Sequence, residues 1–238
     1  PVGVPEIAVD YLNRWGIDEI IVLDIHASWE KRKPEFERIA RYSRFCHVPL
    51  TIGGGISCVE DIEMAFSCGA DKVSINTALV KNPKLITQGA NLFGSQAIIA
   101  SIDARKMSDG KYGVFINSGT EQTEFHPADL ARKAEELGAG EILINSIDRD
   151  GSKQGYDIEL IRQIDDSTNI PVIASGGAGY PWHYAEGIKT GAAAVAAANF
   201  FHYEEHSVIV LKNYLKLHGF DIRLDSYASY EGFSNDFG

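Results

Sequence analysis

The chain has 238 residues, of which 45% are hydrophobic and 23% charged, a length and composition typical of a globular enzyme with one large core. Its formal net charge of -11 argues against a nucleic acid or an anionic membrane as the main partner, although local backbone N–H groups can still bind a small anionic substrate. The sequence contains no run of about 18 apolar residues and no secretory signal, so we expect a cytoplasmic protein.

Seven apolar, β-branched segments alternate with amphipathic segments along the chain. In order, the predicted strands are EIIVLDI, VPLTIGGG, DKVSINT, AIIASIDA, EILINSID, IPVIASGGA and AAVAAANF. Between them, segments such as EFERIARYSR, VEDIEMAFSCG, PADLARKAEELG and DIELIRQIDD carry apolar residues at helical spacing. This alternation predicts an α/β fold with a parallel sheet, in one domain over residues 1–238 with a C-terminal tail at 221–238.

The order of the elements favours a (βα)8 TIM barrel. Because the sequence opens on a predicted helix, PEIAVDYLNRWG, we expect the first strand and the loop after it to precede Pro1. The seven segments are then strands two to eight of the barrel. An open seven-stranded sheet is the alternative, and an internal repeat that requires eight strands argues against it.

The repeat relates the two halves of the chain. One set of residues is spaced by 30 and 22 positions and a second set by 29 and 22 positions. The sets are Asp24, Gly54 and Asn76, and Asp148, Gly177 and Asn199. This self-similarity predicts two similar half-barrels. It also predicts a counterpart of Asp103 on the first strand, before Pro1.

Two glycine clusters, IGGGI and ASGGAG, follow predicted strands at the rim where such barrels carry their active sites. Glycine lets the backbone approach a ligand closely, and each cluster is matched with small residues at the end of the next strand. We therefore predict two phosphate sites, with tight turns alone as the alternative. The first comprises Gly54, Gly55, Asn76 and Thr77, and the second Ser175, Gly176, Gly177, Ala198 and Asn199.

Charged residues mark both ends of the predicted barrel. Asp103 and Asp150 belong to the same rim as the glycine clusters, where a carboxylate can act as general acid or base. Glu19, Lys72 and Glu141 each stand at the start of a strand, which places them at the bottom. They form either a salt-bridged plug or a gate through which a small molecule enters.

The three cysteines give no sign of a metal site. Cys46, Cys58 and Cys68 show no CxxC spacing and no pattern with histidine. We therefore expect free thiols, and neither a metal ion nor a cofactor.

Taken together, these segments resemble the cyclase subunit of imidazole glycerol phosphate synthase over nearly the whole chain. The resemblance is carried by LDIHASWEKRK, IGGGIS, GADKVSINTALVKNP, FGSQAIIASIDARK, GAGEILINSIDRDGSKQGYD, IPVIASGGAG and FFHYEEHSV. It implies a glutaminase partner, docked at the barrel bottom, whose ammonia passes through the barrel. At the top, ammonia attacks a ribulosyl aminoimidazole carboxamide nucleotide with a phosphate at each end. The products are imidazole glycerol phosphate and an aminoimidazole carboxamide ribotide.

The resemblance also implies roles for individual residues. Asp103 corresponds to a catalytic aspartate, and the two glycine clusters correspond to the two phosphate sites. Ser118 and Asp150 correspond to positions that contact the substrate, and Asn145, at the same rim, is predicted to contact it as well. The charged residues at the bottom, Glu19, Lys72 and Glu141, correspond to a ring that gates ammonia entry.

Three positions depart from the pattern of this family. Asn145 and His26 stand where threonine is common, and Asn199 stands where serine is common. The segment NFFHYEEHSV resembles a paralogous branch that supplies ammonia for the amidination of nucleotide-linked surface sugars. Two further hypotheses therefore stand beside the cyclase. One is this paralogous activity, and the other is a barrel without catalysis that binds phosphates or supports its glutaminase partner.

Overall fold

A computed structural model describes residues 4–203, 205–225 and 228–230. The strands of this part are β1 Ile20–Leu23, β2 Leu50–Gly53, β3 Lys72–Ile75, β4 Ile98–Lys106, β5 Tyr112–Ile116, β6 Glu121–Gln122, β7 Glu141–Ser146, β8 Val172–Ser175 and β9 Ala194–Val195. Its α-helices are α1 Pro5–Arg14, α2 Phe36–Tyr42, α3 Val59–Ser67, α4 Thr77–Lys81, α5 Lys84–Phe93, α6 Pro127–Glu136, α7 Ile158–Asp165, α8 Pro181–Lys189, α9 Asn199–Tyr203 and α10 Ser207–Leu217. Within the described ranges no helix is both long and apolar enough to cross a membrane.

The sheet contains all seven predicted strands. Its order is β1-β2-β3-β4-β7-β8-β9, and each neighbouring pair is parallel. The hairpin of β5 and β6, which pairs antiparallel with β4, was not predicted. Its first strand, YGVFI, is fully buried and is bounded by glycine turns on both sides, a strand signal that the sequence does contain.

The sheet is curled, so its two faces hold different cores. The larger core lies between the outer face and the helices. A smaller cluster of Ile99, Leu143 and Ile173 lies on the inner face, where Ile21 of β1 and Ala196, just after β9, pack against it. Strands from the two ends of the sheet thus meet around one interior, as in a (βα)8 barrel, and the predicted fold class is confirmed.

Several helices begin where the local sequence favours a start. Pro5, Pro127 and Pro181 each occupy the beginning of a helix, where the missing N–H of proline costs nothing. The side chain of Asp157 accepts a hydrogen bond of 3.2 Å from the backbone N–H of Leu160 and so caps α7. These starts direct the chain from the rim of the sheet back along its outer face.

The described part of the predicted tail packs against the barrel. Ile222 packs against the larger core, and the N–H of Asp225 donates to the Tyr230 hydroxyl at 2.9 Å. A Cβ added to Gly16, which follows α1, would lie 2.7 Å from the Cβ of Asp225. Residues 226–227 and 231–238 of this tail lie outside the described residues. The single-domain boundary of 1–238 stays a prediction.

The two halves are alike, but their register differs from the one read off the sequence. Gly54 and Gly55 have φ values of 92° and 76°, and Gly176 and Gly177 have φ values of 89° and 103°. Since 176 − 54 and 177 − 55 both equal 122, the halves are related by 122 residues rather than 123 or 124. The run IGGG caused the error, because its first glycine, Gly53, is still the last residue of β2.

The corrected register changes which residues correspond. Thr77 begins α4 and Asn199 begins α9, so these two match, and Asn76 matches Ala198. Asp148 lies two residues beyond the end of β7, so it is not the counterpart of Asp24.

We predict that Gly54→Ala is far more destabilising than Gly110→Ala. Both glycines have positive φ, 92° and 83°. A Cβ at Gly54 would also lie 2.7 Å from the carbonyl carbon of Asp24, whereas at Gly110 no atom lies within 4 Å. In urea unfolding, Gly54→Ala should lower the free energy of unfolding by more than about 3 kcal/mol, and Gly110→Ala should lower it by about 1 kcal/mol. Equal losses would show that backbone strain alone governs both turns.

Candidate active site

The carboxyl ends of the parallel strands surround a cavity of about 570 Å³, a size suited to a small organic substrate. Most of the predicted site residues line it. They are Gly54, Asn76, Asp103, Ser118, Asn145, Asp150, Ser175, Gly176, Gly177, Ala198 and Asn199. Gly55 and Thr77 do not line this cavity, and the charged residues predicted at the bottom lie away from it.

Gly55 is covered by the loop that follows β1. Asp24 organises this loop, because its Oδ1 accepts from the backbone N–H groups of His26 and Ala27, at 3.2 Å each. Its Oδ2 also lies 2.6 Å from Nη1 of Arg32. Partial burial raises the pKa of Asp24, but the hydrogen bonds and charge of Arg32 outweigh it and hold the pKa below its usual value. Asp24 is therefore an ionised loop organiser, and a Cβ at Gly55 would lie 2.7 Å from the Arg32 carbonyl oxygen.

Thr77 lies behind the turn that leads from β5 to β6. Asn117, Ser118 and Gly119 have φ values of 51°, 57° and 77°, so this turn is tight and left-handed throughout. The N–H of Asn117 donates to Oγ1 of Thr77 at 3.1 Å. The Ser118 hydroxyl donates to the carbonyl oxygen of Ile25. The hairpin that the sequence did not predict thus covers Thr77 and brings Ser118 to the cavity wall.

The second glycine turn repeats the construction of the first. A Cβ on Gly55 would lie 2.9 Å from the Cβ of Ala27, and one on Gly177 would lie 2.9 Å from the Cβ of Arg149. The two neighbours differ by 149 − 27 = 122 positions, which is the offset of the glycines themselves. The N–H of Gly155 donates to the carbonyl oxygen of Gly177 at 2.9 Å, so the loop after β7 crosses this turn. Each half-barrel therefore presents one glycine turn beneath a crossing loop.

Two cations of the cavity wall escaped the sequence analysis. Arg105 stands two residues after Asp103 on β4 and therefore shares its face of the strand, which was the available signal. Lys153 lies in the loop after β7 with a φ of 58°. The sequence predicts that DRDGSK, the polar segment that ends on this lysine, is a loop over the mouth of the barrel, but no local pattern singles out Lys153 within it.

Asp103 is held between two asparagine side chains. Nδ2 of Asn145 donates to its Oδ1 at 3.2 Å, and Nδ2 of Asn76 lies 3.4 Å from its Oδ2. Burial raises the pKa of Asp103 to about 6; the hydrogen bond from Asn145 lowers it, and the negative charge of Asp150 adds to the rise. A carboxyl group with such a pKa can accept and return a proton close to neutral pH.

At the opposite end of the strands, Lys72 is bound by two glutamates. Its Nζ lies 3.0 Å from Oε2 of Glu19 and 2.7 Å from Oε1 of Glu141. Burial lowers the pKa of Lys72, but the two carboxylates outweigh this effect and hold the pKa above its usual value. Glu19 directly precedes β1, and Lys72 and Glu141 begin β3 and β7, so this charged ring links the amino ends of three strands.

The inner face of the sheet connects the ring with the cavity. Strand side chains alternate between faces, so Lys72, Ser74 and Asn76 point to the same side of β3. Ser101 stands two residues before Asp103 on β4 in the same way. Both serines are buried and line the cavity. Polar groups therefore continue from the cavity toward the ring.

We predict that Asp103→Asn stabilises the fold at neutral and alkaline pH. The native state binds the proton of Asp103 more tightly than the unfolded chain does, so stability falls as pH rises from the ordinary aspartate pKa of 3.8 through about 6. Removing the charge should raise the free energy of unfolding by up to about 3 kcal/mol at about pH 8 and leave it unchanged at about pH 4. Urea unfolding at both pH values measures this. The exposed Asp109→Asn is the control, and a pH-independent gain would contradict the assignment.

Comparison with known proteins identifies the family. Residues 3–207 match the model of the family described as histidine biosynthesis protein. The chain is 49% identical over 215 residues to imidazole glycerol phosphate synthase subunit HisF of Chlorobium phaeobacteroides (strain BS1), covering 90% of this chain and 85% of that protein. The protein of the same name from Clostridium botulinum (strain Okra / Type B1) is 44% identical over 225 residues, covering 94% and 89%. That from Thermotoga sp. (strain RQ2) is 50% identical over 215 residues, covering 90% and 85%. The chain therefore belongs to the imidazole glycerol phosphate synthase subunit HisF family of histidine biosynthesis proteins.

Proposed function

We propose that this chain is the cyclase-lyase subunit of an imidazole glycerol phosphate synthase and uses ammonia from a glutaminase partner. The observation that carries the proposal is the carboxyl of Asp103, held between two asparagine side chains in a cavity flanked by two matched glycine turns. The names of the relatives support this reaction, and the word subunit in those names supports a multi-subunit enzyme.

The substrate in this proposal is a ribulosyl aminoimidazole carboxamide nucleotide with a phosphate at each end. The first phosphate binds at Gly54, Gly55, Asn76 and Thr77, and the second at Ser175, Gly176, Gly177, Ala198 and Asn199. Glycine at positive φ lets phosphate oxygens approach the backbone, and hydroxyl and amide side chains donate to them. At the first site the Thr77 hydroxyl, now bound to Asn117, turns to the phosphate. Lys153 and Arg105 supply positive charge to the cavity wall.

Asp103 performs the proton transfers in this proposal. Ammonia adds to the ribulosyl carbonyl carbon, water is lost, the ring closes, and a C–N bond breaks to release the ribotide. Each of these steps moves a proton to or from nitrogen or oxygen. A carboxyl group with a pKa near the working pH exists in both forms and can serve as base in one step and acid in the next. Asp150 lies close enough to raise the pKa of Asp103 and contacts the substrate beside it.

Ammonia enters from the bottom in this proposal. The glutaminase docks over Glu19, Lys72 and Glu141, and displacement of Lys72 from its two glutamates opens the ring. A neutral ammonia molecule then moves along the inner face past Ser74 and Ser101, whose hydroxyl groups can exchange hydrogen bonds with it. The apolar cluster on the same face excludes bulk water and so keeps the ammonia from being protonated.

The first test supplies the substrate and ammonium salts to the full-length chain. We expect formation of imidazole glycerol phosphate and the ribotide, and Asp103→Asn should lower kcat at least about 100-fold with little change in KM. The exposed Asp109→Asn is the matched control and should keep full activity. Substrate binding without any turnover would overturn the proposal in favour of a phosphate-binding barrel without catalysis.

Complementation of a histidine auxotroph separates this reaction from the amidination of nucleotide-linked sugars. The soluble chain should restore growth if the histidine pathway is its own. Failure to do so, together with ammonia-dependent turnover of a nucleotide-linked sugar, would assign the chain to the paralogous branch.

A second prediction concerns the ring. Lys72→Met removes the charge that holds Glu19 and Glu141 together, so glutamine-dependent product formation with the partner should become uncoupled from glutamine hydrolysis. Activity with ammonium salts should change less than about twofold, because the chemistry occurs at the other end of the strands. Lys84→Met, at an exposed position of α5, is the control. An equal loss with both ammonia sources would contradict a gating role.

A further inference from the structure

We infer that Asn145 is a positioning residue, which fixes the orientation of the Asp103 carboxylate and favours its ionised form. This role deepens the proposed function and rests on it, because it concerns the group that is proposed to transfer protons. It differs from the contact with substrate that the position of Asn145 at the rim first indicated.

The sheet itself brings the two side chains together. Asp103 of β4 and Asn145 of β7 are register partners in the parallel pairing, and both point to the inner face. Nδ2 of Asn145 donates to Oδ1 of Asp103 at 3.2 Å, while Nδ2 of Asn76, the residue just after β3, lies 3.4 Å from Oδ2. Donors from the two flanking strands thus address the two carboxylate oxygens separately. Rotation of the carboxylate about its Cβ–Cγ bond would break both contacts.

The side chain of Asn145 is itself confined by its surroundings. Its Oδ1 faces Gly176, where an added Cβ would lie 2.9 Å away. Gly176 is therefore needed twice, once for its φ of 89° and once to leave room for the amide oxygen. The amide nitrogen faces Asp103 because the amide oxygen and the carboxylate oxygen are both hydrogen-bond acceptors and would repel each other. The donor is held in one orientation without any charge of its own.

The electrostatic setting explains why a neutral donor matters here. Burial raises the pKa of Asp103, and the charge of Asp150 raises it further. The hydrogen bond from Asn145 acts in the opposite direction, since it is made to the ionised form. Without it, the carboxyl would be more difficult to ionise at neutral pH.

The other charged groups of the cavity wall are engaged elsewhere or lie at its rim. Asp24 lines the wall and is bound to Arg32, with its Oδ2 2.6 Å from Nη1 of the arginine. Nε of Arg105 lies 3.6 Å from Oδ1 of Asp148, beyond the end of β7. Lys153 reaches the wall from the loop after β7. Within the described residues no cation is among the groups that shift the pKa of Asp103, and the amide of Asn145 is the group that lowers it.

The test follows the titration of Asp103 directly, in the full-length chain labelled with 13C at aspartate carboxyl carbons. Asp103→Asn identifies the resonance. Asn145→Ala, which removes the donor, should raise the midpoint of this resonance by about one pH unit. Asn145→Thr retains a hydroxyl donor on a shorter side chain and should restore part of the shift. Asn169→Ala, at an exposed position far along the chain, is the control and should leave the midpoint unchanged.

The same variants are then assayed for turnover with ammonium salts. Where ionised Asp103 is the active form, activity falls as pH decreases through its pKa, so a raised pKa moves this limb of the kcat profile to higher pH by the same amount. A rise in KM with an unmoved titration and an unmoved profile would overturn the inference and leave Asn145 as a substrate contact only.

The two proposals fail in different ways. A shifted titration in a chain that turns over no substrate would uphold the positioning role and overturn the cyclase assignment. Turnover with an unshifted titration would uphold the cyclase assignment and overturn the positioning role.

If Asn145→Ala does not fold, Asn145→Asp serves instead. It preserves the shape of the side chain and places a second carboxyl beside Asp103, so the pair should titrate in two separated steps. Two unperturbed titrations would overturn the inference.

Discussion

The inner face of the parallel sheet carries most of the groups on which the proposed chemistry depends. Strand side chains alternate between faces, so each strand contributes an inward series with a period of two residues. On β3 the series begins at Lys72 and ends just beyond the strand at Asn76, and on β7 it runs from Glu141 to Asn145. The ring and the cavity are therefore opposite ends of the same strands. A one-residue slip in register would move the whole series to the outer face.

The pairing of strands on the inner face lets a neutral amide influence the ionisation of a carboxyl group in an acidic protein. Burial and one neighbouring carboxylate raise the pKa of Asp103. The group that lowers this pKa is an amide rather than a cation. In the ring, by contrast, charged groups stabilise each other, since Lys72 forms ion pairs with two carboxylates. The formal net charge of -11 says little about either site, because each is governed by partners within a few ångströms.

The sequence predicted the larger features well because they depend on composition along short segments. All seven parallel strands appear as apolar runs, and most of the rim residues could be found as strand ends. The prediction was wrong about the register of the repeat, because IGGG contains three glycines and only the backbone conformation decides which of them lie in the turn. The hairpin of β5 and β6 was missed, and with it the reason that Thr77 lies behind Asn117. The loop that ends on Lys153 was predicted to lie over the mouth of the barrel, but Lys153 itself was not chosen, since the position of its side chain depends on how this loop crosses the rim.

The matched glycine turns have a consequence for the direction in which a ligand enters. In the proposed function, a substrate with a phosphate at each end could bind the two matched turns in two orientations, and only one of them would bring the reactive carbon to Asp103. The halves are not identical, however: Ala27 of the first corresponds to Arg149 of the second, and Asn76 corresponds to Ala198. Such differences make the two orientations unequal in binding free energy. Each 1.4 kcal/mol between them lowers the share of molecules in the unproductive orientation about tenfold.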